Sequence, residues 1–148
     1  MLLLSTKNWV DKRSINPAKF VLMEDIATKE DIALLVNSFY SKVMVDPLIK
    51  HFFTETDFSL EKHLPVIASF WETILLDVIT YQGNPMLKHL KMNENLPLKE
   101  AHFERWLQIW KETIYQNFKG KNADEALKRG KGIAHLMDFK INGTQLLQ

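Results

Sequence analysis

The chain has 148 residues, of which 46% are hydrophobic and 25% charged, and its 19 basic and 18 acidic side chains leave a net charge of +1. This length suits one folded domain, and the weak charge excludes the strongly basic surface that is typical of nucleic-acid-binding proteins. Because the chain has no cysteine, disulfides, zinc–thiolate sites, iron–sulfur clusters and thiol nucleophiles are excluded as well. A bound metal needs His, Asp or Glu ligands, and the chain contains five His.

Aromatic side chains are plentiful, whereas turn-forming residues are scarce. The chain contains four Trp and nine Phe but only five Gly and five Pro. This balance favours a helical protein that has either a bulky bound group or a very aromatic core.

Neither the N-terminus nor the most apolar stretch indicates a targeting or membrane segment. The short apolar run at the start lacks the preceding basic residue of a secretory signal. Residues 64–80 are interrupted by Glu72 and Asp77, whereas a membrane-spanning helix needs about 20 apolar residues. We therefore expect a cytoplasmic protein with no membrane partner.

The first predicted element follows an N-terminal extension. Residues 1–25 show no clear periodicity, so their structure is not specified and the domain is predicted to span residues 26–148. A helix is predicted to begin after Thr28, because a hydroxyl followed three residues later by an acid is a capping signal. Its apolar face contains Ile32, Leu35, Phe39 and Val43, and Asp46-Pro47 is expected to end or bend it.

A second long helix is predicted to begin after Ser59, which can cap it. Its broad apolar stripe is formed by Leu60, Leu64, Ile67, Phe70, Trp71, Ile74 and Leu75. Pro65 predicts a distortion in the early part. The composition of residues 81–85 predicts a turn, followed at most by a short helix at residues 86–90 and by a loop at residues 91–96.

Two further long helices complete the predicted fold. Pro97 suits the first turn of the third helix, whose buried face is marked by Phe103, Trp106, Trp110 and Ile114. Asn122 is a candidate cap for the fourth helix. Gly130 inside that helix costs about 1 kcal/mol relative to Ala, so we expect a helix or a ligand to approach closely there. No alternating strand pattern occurs, and the fold class is therefore all-α, with four long helices and short additional pieces.

The sequence positions of His63 and His89 make these two histidines candidates for a functional site. His63 lies on the apolar face of the second long helix, where a partly buried His bonded to a carbonyl is the commoner case. His89 follows 26 residues later, a separation that allows a helix, a turn and a return, so that the two rings can face each other. A single axial His on a short helix is how globins hold haem iron.

Two aromatic side chains also allow two interpretations. Tyr40 is either a boundary residue with its hydroxyl in water or a donor that points into a cavity. Trp106 is either part of the core or a source of an indole N–H donor. The other histidines, His51, His102 and His135, form no zinc-protease motif, and neither a nucleophile elbow nor a phosphate-binding loop occurs in the chain.

Five fragments in a fixed order resemble the truncated haemoglobins, specifically the group III class. The resemblance covers residues 28–141. The fragments are Phe39-Tyr40-Ser41-Lys42-Val43, Phe52-Phe53, Lys62-His63 with Phe70-Trp71-Glu72, Gly83-Asn84-Pro85-Met86-Leu87-Lys88-His89-Leu90, and His102-Phe103-Glu104-Arg105-Trp106-Leu107. The glycine pairs of the other truncated classes are absent, in agreement with group III.

The resemblance implies an abbreviated globin fold, a two-over-two helical sandwich around one b-type haem. In that family pattern His89 matches the proximal iron ligand, Tyr40 and Trp106 match the distal hydrogen-bond donors, and His63 matches a distal gate. Phe53 matches the phenylalanine that packs on the haem, and Phe39 and Phe70 complete the expected haem-contacting set. Lys88, Lys91 and Arg105 are the nearby cations for the haem propionates, and the sequence does not choose among them.

The implied function is the binding of O₂, NO or CO at the haem iron. The alternative is a haem enzyme, either an NO dioxygenase or a peroxide-reactive protein, which would need an unidentified reductase. A third hypothesis is a haem-free helical interaction module, in which the same Tyr, Trp and His residues only fill the core and its edge.

Overall fold

The computed structural model describes residues 23–56, 59–79, 81–83, 93 and 96–143. Within these ranges the chain is helical and has no strand, which confirms the all-α prediction. The helices are α1 (Lys29–Val43), α2 (His51–Thr54), α3 (Leu60–Leu75), α4 (Glu100–Asn117) and α5 (Lys121–Asn142). The predicted turn and short helix before His89 lie almost wholly outside the described residues.

The start of α1 is fixed by reciprocal capping, as predicted. The Thr28 hydroxyl accepts a hydrogen bond from the Asp31 N–H at 3.1 Å, and the Asp31 carboxylate accepts one from the Thr28 N–H at 3.0 Å. Two of the first orphan donors are thereby satisfied. The helix ends at Val43, ahead of Asp46-Pro47.

The apolar stripe of α3 is only partly packed into the core. Ser59 caps the helix as predicted, with its hydroxyl 3.4 Å from the Lys62 nitrogen, and α3 continues through Pro65 without interruption. Trp71 and Leu75 are buried, whereas Ile67 and Phe70 are half-buried. These two side chains are half-buried because they form one wall of a cavity.

The prediction that Pro97 begins the next helix is wrong, because α4 begins at Glu100. Residues 97–99 are not helical, and Leu98 of this segment is buried. The Lys99 N–H donates to Nδ1 of His102 at 2.9 Å. A histidine ring thus supplies the cap that decides where the helix starts.

The prediction that Asn122 caps the last helix is also wrong. The helix begins at Lys121, after Gly120, which is two residues earlier than a cap at Asn122 would place it, and the φ of +146° at Gly120 favours glycine. The Asp25 carboxylate accepts hydrogen bonds from the Asn122 and Ala123 N–H groups, both at 2.8 Å. Any Cβ at Gly120 would lie 2.5 Å from the Asp25 Cγ. A residue from far away along the chain therefore caps α5.

The helices form two pairs that pack on each other. The first pair is α1 with α3 and the second is α4 with α5, while α1 packs on α4 and α3 on α5. The most deeply buried large side chains include Trp110, Phe39, Ile26, Ile32, Leu35, Ile109 and Ile114. Among the described residues, no helix is long and apolar enough to cross a bilayer.

Candidate functional site

A cavity of about 240 Å³ lies between the two helix pairs. A single water molecule needs roughly 10–15 Å³, so this space is far larger than a packing defect. Its walls are mostly apolar and aromatic, as in ligand pockets generally. The lining residues are Tyr40, Ile49, Phe52, Phe53, His63, Val66, Ile67, Phe70, Trp71, Tyr81, Leu98, His102, Phe103, Trp106, Ile133, Ala134 and Met137.

Most of the predicted site residues meet at this cavity. Tyr40, Phe53, His63, Phe70 and Trp106 all line it, although they come from four different helices.

Phe39 does not line the cavity but lies in the core behind it. Its ring meets Tyr40, Trp106 and Trp110 edge-on, at centroid distances of 5.0, 5.5 and 5.1 Å. His89, Lys88 and Lys91 lie outside the described residues, so their predicted roles stay predictions.

Tyr40 lies in the last turn of α1, with its ring edge-on to Phe53 at 5.7 Å. Burial raises the pKa of its phenol above the ordinary value, because low-dielectric surroundings disfavour the phenolate. The group therefore remains protonated at neutral pH and keeps an O–H donor at the cavity.

Trp106 and Trp110 lie one helical turn apart, and their rings stack with centroids 5.8 Å apart. Their indole N–H groups differ in their hydrogen bonding. The N–H of Trp110 donates to the Ala126 carbonyl at 3.0 Å. No group in the described ranges accepts from the N–H of Trp106. Trp106 is half-buried and lines the cavity, and its indole N–H can only donate, so this donor is suited to a ligand in the cavity.

His63 is held against its own helix. Its Nδ1 lies 2.7 Å from the Ser59 carbonyl oxygen, one turn earlier. The ring thus lies on the apolar face and bonds a carbonyl, as the sequence pattern predicted. Swinging the ring away would break this bond, which contributes about 0.5–1.5 kcal/mol.

His102 also lines the cavity, although no role was predicted for this residue from its sequence position. Burial, followed by the positive charges of His51 and Lys99, holds its pKa below the ordinary value. The ring is therefore neutral near pH 7, and its Nδ1 is already occupied by the Lys99 N–H. The spacing of four residues from Trp106 is the signal that could have placed it on the same face.

Arg105 is engaged in an ion pair beside the site. Its guanidinium bonds one Asp46 carboxylate oxygen at 2.7 and 2.8 Å and donates to Gln108 at 2.8 Å. Burial alone would raise the pKa of the Asp46 carboxyl, but the hydrogen bond and charge of Arg105, with the N–H groups of Leu48 and Ile49, lower it. This pair fixes α4 to the corner after α1.

Comparisons with known proteins agree on one family. The bacterial-like globin family matches residues 21–139. The group 3 truncated hemoglobin ctb of Campylobacter jejuni is 30% identical over 110 residues, which cover 72% of this chain and 84% of that protein.

A solved structure shows the same likeness. The crystal structure of the group III truncated hemoglobin from Campylobacter jejuni superposes with a TM-score of 0.71 at 27% identity, and the match covers 80% of this chain and 95% of the other. Together with the helical fold and its aromatic cavity, these matches show that the chain is a haem-binding globin of the bacterial-like family and belongs to the group III truncated haemoglobins.

Proposed function

We propose that the cavity holds one b-type haem, with His89 as the iron ligand, and that the protein binds O₂ there. The walls of the cavity suit the faces of a flat macrocycle because they carry aromatic side chains, among them Phe53, Phe70 and Phe103. Burial of such rings against an apolar ligand supplies non-directional stabilisation. The few polar side chains of the cavity lining then determine which ligand is bound more tightly.

The proposal depends mainly on one observation, the presence of Tyr40 and Trp106 at the same cavity. One group donates an O–H and the other an N–H. When bound, haem supplies an iron at which O₂ accumulates negative charge, whereas CO remains nearly neutral. A hydrogen bond to a charged partner contributes about 1.5–3 kcal/mol, or about ten- to hundredfold in dissociation rate. The two donors therefore favour retention of O₂ over its rapid release.

We extend the proposal to NO and CO, because the apolar walls contact any diatomic ligand whatever its charge. His63 acts as the gate of this site. Its ring lies on the cavity wall and is held by the Ser59 carbonyl, so an outward swing is reversible but costs one hydrogen bond. Consumption of NO by the oxygenated protein, together with an electron-donating reductase, is the enzymatic alternative and is measured directly by NO loss.

Absorption spectra of the purified protein test the haem assignment. We expect a Soret band, a haem b signature after extraction into alkaline pyridine, and distinct ferrous, O₂ and CO spectra. His89→Ala should lose the haem or its normal five-coordinate ferrous spectrum, because the imidazole is the axial donor. His135→Ala, at an exposed position on α5, should change none of these. Unaltered spectra of His89→Ala would remove this residue from the iron.

A further inference from the structure

Asp138 of α5 is a fully buried carboxylate that the haem proposal does not use. Its side chain is 0% exposed, and the residue directly follows Met137, which lines the cavity. One carboxylate oxygen, Oδ1, accepts a hydrogen bond from the Asn142 amide at 2.5 Å. No group in the described part of the chain donates to the other oxygen, Oδ2. Because a buried polar atom without a partner costs free energy, we expect this carboxylate to have a role beyond stability.

The amide of Asn142 joins this carboxylate to the chain before α4. The same Nδ2 group also donates to the Leu98 carbonyl at 2.8 Å. A carboxylate oxygen and a carbonyl oxygen both accept, so the NH₂ group of Asn142 gives one hydrogen to each. Asn142 is itself exposed at the end of α5, where a side chain without such partners would sample several rotamers. The buried carboxylate therefore fixes the orientation of an amide at the surface.

Leu98 is held on both sides of its backbone. Its carbonyl accepts from Asn142, and its N–H donates to Oδ1 of Asn93 at 2.8 Å. The Leu98 side chain is buried and lines the cavity. Asn93 follows the predicted iron ligand His89 by four residues in the sequence. The two asparagines thus restrain the chain on its way from His89 to α4.

We propose that Asp138 and Asn142 are positioning residues of the cofactor site, which restrain the chain that carries His89. They act through the bonds to Leu98 and Asn93. The inference rests on the proposed haem site with His89 as its iron ligand. Hydrogen bonds behind the ligands of a metal orient those ligands and tune the metal. An acceptor that solvent cannot reach keeps Asn142 oriented, and the unpartnered oxygen of Asp138 is the energetic penalty of placing it there.

Two readouts of the haem-loaded variants test the proposal. The iron–histidine stretching band of the ferrous protein reports how the ligand ring is held, and the rate of haem transfer to excess apomyoglobin reports how firmly the site keeps its cofactor. For Asn142→Ala and Asp138→Ala we expect a shifted band and about tenfold faster transfer, the equivalent of one lost hydrogen bond. Asp138→Asn keeps an acceptor oxygen for Asn142 and should retain the wild-type band and rate.

Comparison with stability separates positioning from a general loss of structure. Asp138→Ala removes one hydrogen bond but also the buried oxygen without a partner, so its free energy of unfolding should change little. Asp25→Ala instead destabilises α5 at its opposite end and should leave the iron–histidine band unaltered. Asn93→Ala removes the second restraint on Leu98 and should shift the band as Asn142→Ala does.

Three results would overturn the proposal. The first is a wild-type band and transfer rate in Asn142→Ala or, should that variant not fold, in Asn93→Ala. The others are an equal shift of the band in Asp25→Ala and a failure of Asp138→Asn to differ from Asp138→Ala. A wild-type protein that takes up no haem, or an unchanged band in His89→Ala, would instead refute the proposed function, and both are seen before any positioning variant is compared.

Discussion

Gly130 of α5 lies directly against the indole of Trp110. A Cβ at position 130 would lie 2.7 Å from both Cδ1 and Nε1 of that ring, and Trp110 is only 1% exposed. The ring stacks on Trp71 at 4.6 Å and on Trp106 at 5.8 Å. A glycine in one helix thus allows the packing that supports the donor Trp106 at the cavity.

Replacement of this glycine should destabilise the fold. For Gly130→Ala we expect a decrease of about 1–3 kcal/mol in the free energy of unfolding, because the new methyl group overpacks the core. Gly132→Ala is the matched control, since a Cβ there meets nothing within 4 Å. The free energy of unfolding of this control should instead rise by about 0.5–1 kcal/mol, because alanine has a higher helix propensity than glycine. Urea unfolding curves of both variants check the prediction, and similar changes in the two would contradict it.

The two neighbouring tryptophans should have separable roles. Trp106→Phe removes the indole N–H of a residue that lines the cavity, so the O₂ dissociation rate should rise about ten- to hundredfold while CO dissociation changes much less. Trp110→Phe removes the bond to the Ala126 carbonyl and should lower stability by about 1–3 kcal/mol with little change in the O₂/CO ratio. Stopped-flow ligand replacement and thermal unfolding measure the two effects. An unchanged O₂ rate in Trp106→Phe would exclude the donor role.

The cap of α5 should be sensitive to one side chain outside the helices. Asp25→Ala leaves the Asn122 and Ala123 N–H groups without their acceptor, and loss of a cap costs about 0.5–2 kcal/mol. Glu24→Ala is the control, because Glu24 uses its backbone carbonyl to accept the Lys119 N–H. Chemical unfolding should show a lower free energy of unfolding for Asp25→Ala and an unchanged one for Glu24→Ala. An equal loss in both variants would argue against the capping role.

The Asp46–Arg105 pair should make stability depend on acid pH. Because Arg105 and nearby N–H groups hold the pKa of Asp46 below its ordinary value, the unfolded chain binds the proton more readily. The contribution of the ionised Asp46 carboxylate to the free energy of unfolding is therefore complete above the unfolded-state pKa of about 3.9. This contribution is lost as the pH falls from there through the pKa of Asp46 in the folded protein.

Asp46→Asn should consequently be less stable than the wild type at pH 7, by about 1.5–3 kcal/mol for hydrogen bonds to a charged group. The difference should narrow as the pH falls below about 4, through the window set by the unfolded pKa. Urea unfolding at a series of pH values provides the comparison, and a constant difference down to pH 3 would disagree with this assignment.

The helices could be predicted from the sequence wherever neighbouring residues determine where a helix starts and which face it buries. The cap formed by Thr28 and Asp31, the cap at Ser59 and the spacing of apolar residues along α1 all depend on residues within one or two turns. The close approach at Gly130 was also expected from the sequence, because a glycine inside a helix has a cost that packing must offset.

The starts of α4 and α5 were predicted incorrectly because non-local or unusual groups decide them. Asp25 is separated from the α5 start by almost the whole domain, and no local pattern reports such a contact. A histidine ring such as His102 is not a standard cap, so its role at α4 and its place in the cavity were both missed. At the cavity itself, the family resemblance identified Tyr40, His63 and Trp106, whereas the direction of each hydrogen bond required coordinates.

The O₂ and CO dissociation rates of Tyr40→Phe, each compared with the wild-type rate, test the central claim most directly. This variant keeps the ring and its packing on Phe53 but removes the only hydroxyl hydrogen that Tyr40 can donate. We predict that O₂ dissociates about ten- to hundredfold faster, with a far smaller change for CO. Equal changes for the two gases, or none for O₂, would contradict the account.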